Sequence, residues 1–226
     1  VPHRAVVRLV IDADFARFGS QQRWGVMSAV AFDASTLEIW GALLYGGCCV
    51  VQTMPLPGLD ELGRYLRDGR VSDTWLTASL FNAMVDEQPH AMAGMGQLLT
   101  GGERESVGHV RRFMETCPGV RLIHGYGPTE NTTFSLCHTI TAEDAAGERI
   151  PIGRPISGST MRIVQPGASA DAPDQPLGEG ELLVGGLGLA LGYLGDPAKT
   201  AEKFVEDSDG ERWYRTGDVV RLRVGD

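Results

Sequence analysis

Between about residues 24 and 126, apolar runs of strand length alternate with segments of helical pattern, as expected of βαβ units around a parallel sheet. Ser35-Thr36-Leu37-Glu38 has the spacing of a capping box, so a helix is predicted over 35–44, stopping at Gly46-Gly47. Further strands are predicted over 48–52, 71–77, 97–100 and 120–124, with helices over 59–68, 79–87 and 106–116. The fold class is therefore α/β: a doubly wound, mostly parallel sheet of flavodoxin-like βαβ units.

After about Ile150 the pattern changes. Short β-rich stretches over 161–164 and 181–184, separated by Gly and Pro clusters, suit a small β-barrel-like subdomain. The tract 165–180, rich in Pro, Gly, Ala and Asp, reads as an exposed loop of variable length. A helix over 197–205 opens on Asp196-Pro197, with proline at the first helical position. The expected organisation is an α/β subdomain over 1–145 and a β-rich subdomain over 146–226.

Composition narrows the function classes. A net charge of -9 with no Lys/Arg cluster argues against a nucleic-acid surface. No apolar run reaches the roughly 18 residues that span a bilayer, so no membrane partner is expected. Cys48, Cys49, Cys117 and Cys137 have neither metal-ligand spacing nor disulfide-scaffold density, which fits a reducing cytoplasm. Cys48-Cys49 continues an apolar strand, and His109 with Arg111-Arg112 reads as the solvated face of a helix.

The chemistry concentrates in Gly125-Tyr126-Gly127-Pro128-Thr129-Glu130, just beyond the strand ending at His124. Ligands of open α/β sheets bind at the carboxyl ends of strands, and two glycines let the backbone approach one closely. Tyr126 offers a flat face for a base, Thr129 a hydroxyl for a phosphate oxygen, and Glu130 a hard oxygen for Mg²⁺. Later, Tyr214-Arg215-Thr216-Gly217-Asp218 sets an aspartate on a Thr-Gly turn, suited to accept hydrogen bonds from ribose hydroxyls. Taken alone, either could be an ordinary turn.

Together, Phe32-Asp33-Ala34-Ser35, Gly125 to Glu130, Gly180 to Leu194 and Tyr214 to Asp218 resemble, in order and spacing, the core motifs of nonribosomal peptide synthetase adenylation domains. The resemblance covers nearly the whole chain. It implies activation of an amino acid with ATP and Mg²⁺ to aminoacyl-AMP and pyrophosphate, then transfer to the phosphopantetheine thiol of a peptidyl carrier protein. It puts Gly101-Gly102-Glu103 and Tyr126 around adenine, Thr129 and Glu130 at the reacting phosphate and its Mg²⁺, and Asp218 on the ribose. The amino-acid pocket falls on Asp33, Ala34, Leu37, Trp75, Leu99, Gly101, Gly125, Thr133 and Phe134, with Gly127 beside them. Asp33 would meet the α-ammonium, a charge that cannot be buried without an anion.

The pocket set resembles that of valine-activating domains. One methylene discriminates by only about 1 to 3 kcal/mol, so isoleucine and 2-aminobutyrate stay open. His124 stands where the family often has Asn. A phosphate loop would precede Val1, and a hinge and small subdomain with the catalytic lysine would follow Asp226; the chain is expected to be a weakly active or inactive fragment of an antibiotic-type synthetase. A small MbtH-like partner is compatible with the resemblance, though no residue demands it. The alternatives are an acyl-CoA or aryl-acid ligase, which should lack an acid at position 33, and a noncatalytic excised subdomain.

Overall fold

The structure, a computed structural model, describes residues 1–174 and 178–223. It divides into two compact units that interleave along the chain: Val10–Tyr126 with Leu136–Arg154, and Val1–Leu9 with Gly127–Ser135 and Pro155–Asp226. The division differs from an expected cut at 145/146 because strands β6 (Leu136–Thr139) and β7 (Arg154–Pro155) return to the first sheet after the chain has left it.

The larger unit is built on a sheet ordered β2-β1-β3-β4-β5-β6-β7. Strands β1 (Arg23–Val26), β2 (Cys48–Val51), β3 (Asp73–Thr77), β4 (Gln97–Gly101) and β5 (Arg121–Tyr126) pair in parallel. β6 pairs antiparallel with β5. Helices α2 (Ala34–Leu43), α3 (Leu59–Asp68), α4 (Ala78–Glu87) and α5 (Val107–Thr116) connect the parallel strands, each close to its predicted span. The short helix α6 (Ala142–Ala146) follows β6, and no periodicity in the chain points to either.

Successive strand residues point to opposite faces, and the register shows that both faces are covered. Leu76, Leu98 and Leu122 share one face and enter the core formed by α3, α4 and α5, where Phe81 meets Phe113 edge-on at 5.4 Å. On β1, Gly25 turns toward Tyr65 of α3, while Trp24 turns the other way and stacks on Phe18 at 5.2 Å. Phe18 fills the space above Gly41 of α2, where a Cβ would lie 2.5 Å from its ring. The sheet is doubly wound, with α2 opposite α3.

The capping-box reading is corrected. Asp33 is the N-cap of α2 and makes no side-chain capping bond, and the Ser35 hydroxyl donates to the Phe32 carbonyl. Glu38 instead turns inward, fully buried, and accepts from the amides of Met27 and Ser28 and the hydroxyl of Ser28. Three donors in the turn after β1 outcompete the helix end for this carboxylate.

The smaller unit holds an antiparallel sheet ordered β10-β11-β9-β8, with β8 at Ser159–Val164, β9 at Glu179–Gly186, β10 at Phe204–Glu206 and β11 at Arg212–Arg221. Helix α7 (Pro197–Lys203) stops short of the predicted 205, because Phe204 is buried edge-on against Tyr193 and Tyr214 and continues as strand. Helix α1 (His3–Val10), which the apolar pattern does not predict, contributes most of its length to this unit. The tract 165–180 is not simply exposed: Ala170 packs with Val164, Leu183 and Trp213, and Arg162 binds the carbonyls of Ala170 and Ala172. The loop reading of residues 175–177 lies outside the described residues.

Among the described residues no helix is long and apolar enough to cross a membrane. Phe81→Ala should cost about 3 to 5 kcal/mol of stability, as expected for an aromatic ring removed from a closed core, measured by urea unfolding.

Candidate functional site

In the larger unit, the register Trp75↔Leu99↔Ile123 and Thr77↔Gly101↔Gly125 puts Trp75, Leu99, Gly101 and Gly125 on the face that α2 covers. Ala34 and Leu37, one helical turn apart on α2 and in line with Gly41, are buried. Asp33 heads the helix, half-buried. Four of the residues predicted to bind the amino acid thus share the sheet face against which α2 packs, and three more lie on that helix or at its head.

Gly101 is required by geometry. Its φ is +158°, and a Cβ there would lie 2.0 Å from the Gly125 carbonyl oxygen and 3.1 Å from the Trp75 ring. Gly102 follows at φ +81°, with only the edge of Trp75, 4.0 Å away, near the place a Cβ would take. The turn after β4 therefore leaves open ground beside the indole. Glu103 accepts from the Ser79 hydroxyl at 2.8 Å, and Tyr126 ends β5, half-buried.

Two buried acids have surroundings that the linear sequence does not reveal. Burial pushes Glu38 up to about 7, against the opposing pull of the bonds from Ser28 and Met27. Burial likewise pushes Glu105 up to about 7, opposed only by the Thr100 hydroxyl; its Oε2 has no hydrogen-bond partner among the described residues. His124 is buried, and its Nδ1 lies 2.8 Å from the Pro151 carbonyl, so the proton sits on Nδ1. Burial holds its pKa below the ordinary histidine value. The residue standing where Asn was expected still fixes backbone.

The smaller unit holds Gly127, Thr129, Glu130, Thr133, Phe134 and Asp218. The 3-10 turn Thr129–Asn131 is followed by Thr132 and Thr133 at φ 56° and 65°. β-branched residues rarely adopt that left-handed region, which costs on the order of 1 to 3 kcal/mol each. What holds them is Arg8, which no motif singles out. From α1, its buried guanidinium donates to the carbonyls of Asn131, Thr132 and Phe134 at 2.7, 3.2 and 2.7 Å, and to Ser159 Oγ at 3.0 Å. Thr132 Oγ1 donates to the Gly188 carbonyl, and the Ala190 amide to the Glu130 carbonyl, both at 2.8 Å. Gly127 is boxed in by the same segment, where a Cβ would lie 2.5 Å from the Ser135 nitrogen.

Asp218 lies in an irregularity of β11 rather than in a simple turn. Arg215 pairs with Leu183 and Val219 with Glu181, so β11 carries two more residues than β9 across the interval. Thr216-Gly217-Asp218 is extruded as a bulge, with Gly217 at φ +79° and the Asp218 amide donating to Thr216 Oγ1 at 3.0 Å. Asp218 is exposed.

A family model described as AMP-binding enzyme matches residues 1–194. The chain belongs to the AMP-binding enzyme family. It is 45% identical over 226 residues to a linear gramicidin synthase of Brevibacillus parabrevis, covering 98% of this chain and 3% of that protein. Tyrocidine synthase 3 of the same species is 42% identical over 225 residues, again covering 98% of this chain and 3% of the relative. The structure matches holo-PA1221, an NRPS protein containing adenylation and PCP domains bound to a vinylsulfonamide inhibitor, with a TM-score of 0.91 and 43% identity over 97% of this chain and 38% of that one. It also matches the Klebsiella oxytoca NpsA N-terminal subdomain in complex with 3-hydroxybenzoyl-AMSN, with a TM-score of 0.87 and 26% identity over 98% of this chain and 57% of that one.

This member of the AMP-binding family is thus homologous to adenylation domains of nonribosomal peptide synthetases. It spans only a small part of the curated relatives it matches. Arg8 and Glu38 escape sequence reading because each acts on backbone groups of a distant or turned segment, which no linear spacing encodes.

Arg8→Met leaves buried carbonyls without donors, at about 1 to 3 kcal/mol each; amide hydrogen exchange over residues 129–135 should accelerate more than elsewhere. Glu38 and Glu105 bind protons more tightly folded than unfolded, where the ordinary value is 4.5. Stability should therefore fall as pH rises from about 4.5 to 7, by up to roughly 3 kcal/mol for each group, and level off above. Glu38→Gln and Glu105→Gln should each flatten that slope in urea titrations at stepped pH.

Proposed function

We propose that the chain carries the substrate-binding residues of an adenylating ligase, which activates an amino acid with ATP to aminoacyl-AMP and pyrophosphate. The observation that carries this reading is that Trp75, Leu99, Gly101 and Gly125 share the sheet face against which α2 packs, while α2 carries Ala34 and Leu37 with Asp33 at its head. A half-buried acid at the helix head is suited to compensate an α-ammonium. Trp75, Leu99 and Leu37 supply an apolar lining, and Gly101 and Gly125 keep the floor low, which suits a small branched side chain. We take valine as the substrate.

For the nucleotide, Gly101-Gly102-Glu103 and Tyr126 would border the adenine, Thr129 would donate to a phosphate oxygen, and Asp218 would accept from ribose hydroxyls. The donor chemistry fits a magnesium nucleotide. Among the described residues no group of three or more His, Cys, Asp and Glu could hold a metal ion. A single carboxylate, Glu130, is what Mg²⁺ needs when phosphate and water supply its other oxygens. When bound, the ion would neutralise charge developing on the phosphate oxygens. A carrier protein bearing phosphopantetheine would receive the aminoacyl group. The NRPS relative that contains both adenylation and PCP domains supports that partner.

The test is amino-acid-dependent ATP–pyrophosphate exchange on the whole protein containing this chain. Valine should give the strongest exchange, and Asp33→Ala should lower it by at least about 100-fold, as expected when a buried charge loses its partner. Exchange with no amino acid, from a folded whole protein, would refute the reading.

A further inference from the structure

Glu130 is gripped by one loop at both its backbone and its side chain. The Ala190 amide donates to its carbonyl, and the Tyr193 hydroxyl donates to its carboxylate oxygen Oε1. Behind Tyr193 stands Tyr214, the two hydroxyl oxygens 3.3 Å apart. A phenol has one proton. With that of Tyr193 given to Glu130, a hydrogen bond between the two phenols has Tyr214 as its donor, and Tyr214 also interacts with Glu130 directly.

The tyrosine ring is itself immobilised. Lys199 Nζ sits 4.7 Å over its centroid, and Phe204 meets it edge-on at 5.8 Å. Its amide donates to Thr200 Oγ1 at 2.9 Å, and the neighbouring Gly192, at φ +146°, has no room for a Cβ beside Thr200. Arg212 fixes the loop from outside by binding the carbonyls of Ala190 and Leu191, each at 2.8 Å.

We propose that Tyr193 is a positioning residue for Glu130: by occupying Oε1 it fixes the carboxylate rotation and leaves Oε2 to take the divalent cation with one oxygen only. The inference rests on Glu130 being the cation ligand in the function proposed above. Single-oxygen coordination suits Mg²⁺, which demands a near-ideal octahedron and for which Mn²⁺ is a spectroscopic substitute, over Ca²⁺, which accepts bidentate carboxylates. Tyr193 therefore contributes selectivity as well as affinity.

The experiment measures Mn²⁺ binding by electron paramagnetic resonance on the whole protein containing this chain, saturated with a nonhydrolysable ATP analogue, with Ca²⁺ as competitor. Tyr193→Phe keeps the ring contacts and removes only the donor. It should weaken Mn²⁺ about 10-fold, in the range found when an outer-shell partner is lost, and Ca²⁺ should compete better. Analogue affinity without metal should be unchanged. Tyr214→Phe should weaken Mn²⁺ less, and decides the matter should Tyr193→Phe not fold. If Glu130→Gln weakens Mn²⁺ while both tyrosine variants bind like wild type, the positioning role is overturned and the proposed function stands. If Glu130→Gln itself leaves Mn²⁺ binding unchanged, Glu130 is not the ligand and both readings of it fall.

Discussion

A single buried guanidinium holds the segment between Gly127 and Ser135 in shape. That segment has almost no regular structure, contains two left-handed threonines, and carries Thr129, Glu130, Thr133 and Phe134. Left to local preference it would relax. Arg8 reaches three of its carbonyls and a serine on β8 at once, which a planar fork of five donors can do and a lysine point charge cannot. Two glycines make room for it: a Cβ at Gly188 would lie 2.1 Å from Nη2, and one at Gly158 2.8 Å from Arg8 Cγ. The strain of the loop, the glycines around it and the burial of a charge are consequences of one choice.

The two units solve the placement of functional side chains by different physics. In the larger, parallel register does it: once β3, β4 and β5 are aligned, Trp75, Leu99, Gly101 and Gly125 cannot avoid sharing a face. In the smaller, side chains bind the carbonyls of other segments. Arg8, Arg212 and Thr132 each fix loop backbone, and Arg162 with Arg215 fastens the stretch from Ala168 to Ala172. Register tolerates surface change, whereas a loop held by a few donors depends on each of them.

What can be read from the chain divides along the same line. The 59–68 helix is legible because its apolar positions recur with the helical period and Gly58 and Gly69 flank it. The parallel strands are legible as apolar runs between helices. Strand β6 is not: Leu136-Cys137-His138-Thr139 is short, mixed in character, and paired only because the chain doubles back beside β5. The glycine-rich turns at 101–102 and 125–127 are legible since Gly marks close approach, and backbone or ring atoms do lie within 3.1 Å of a would-be Cβ at Gly101 and Gly127. Arg8 is invisible because its partners lie 123 to 151 residues away. Glu38 misleads because a local capping pattern and a tertiary one use the same residue types.

The bulge on β11 sets the location of Asp218 by counting. Between the pairs Arg215↔Leu183 and Val219↔Glu181, one strand takes four steps where its neighbour takes two. The surplus has no partner across the ladder and must leave the plane of the sheet, whatever its side chains. The identity of residue 218 determines what is displayed, but its display at all is a matter of length. Evolution could therefore exchange the displayed residue without disturbing the ladder, yet could not remove two positions there without erasing the pedestal, even if every remaining strand contact survived.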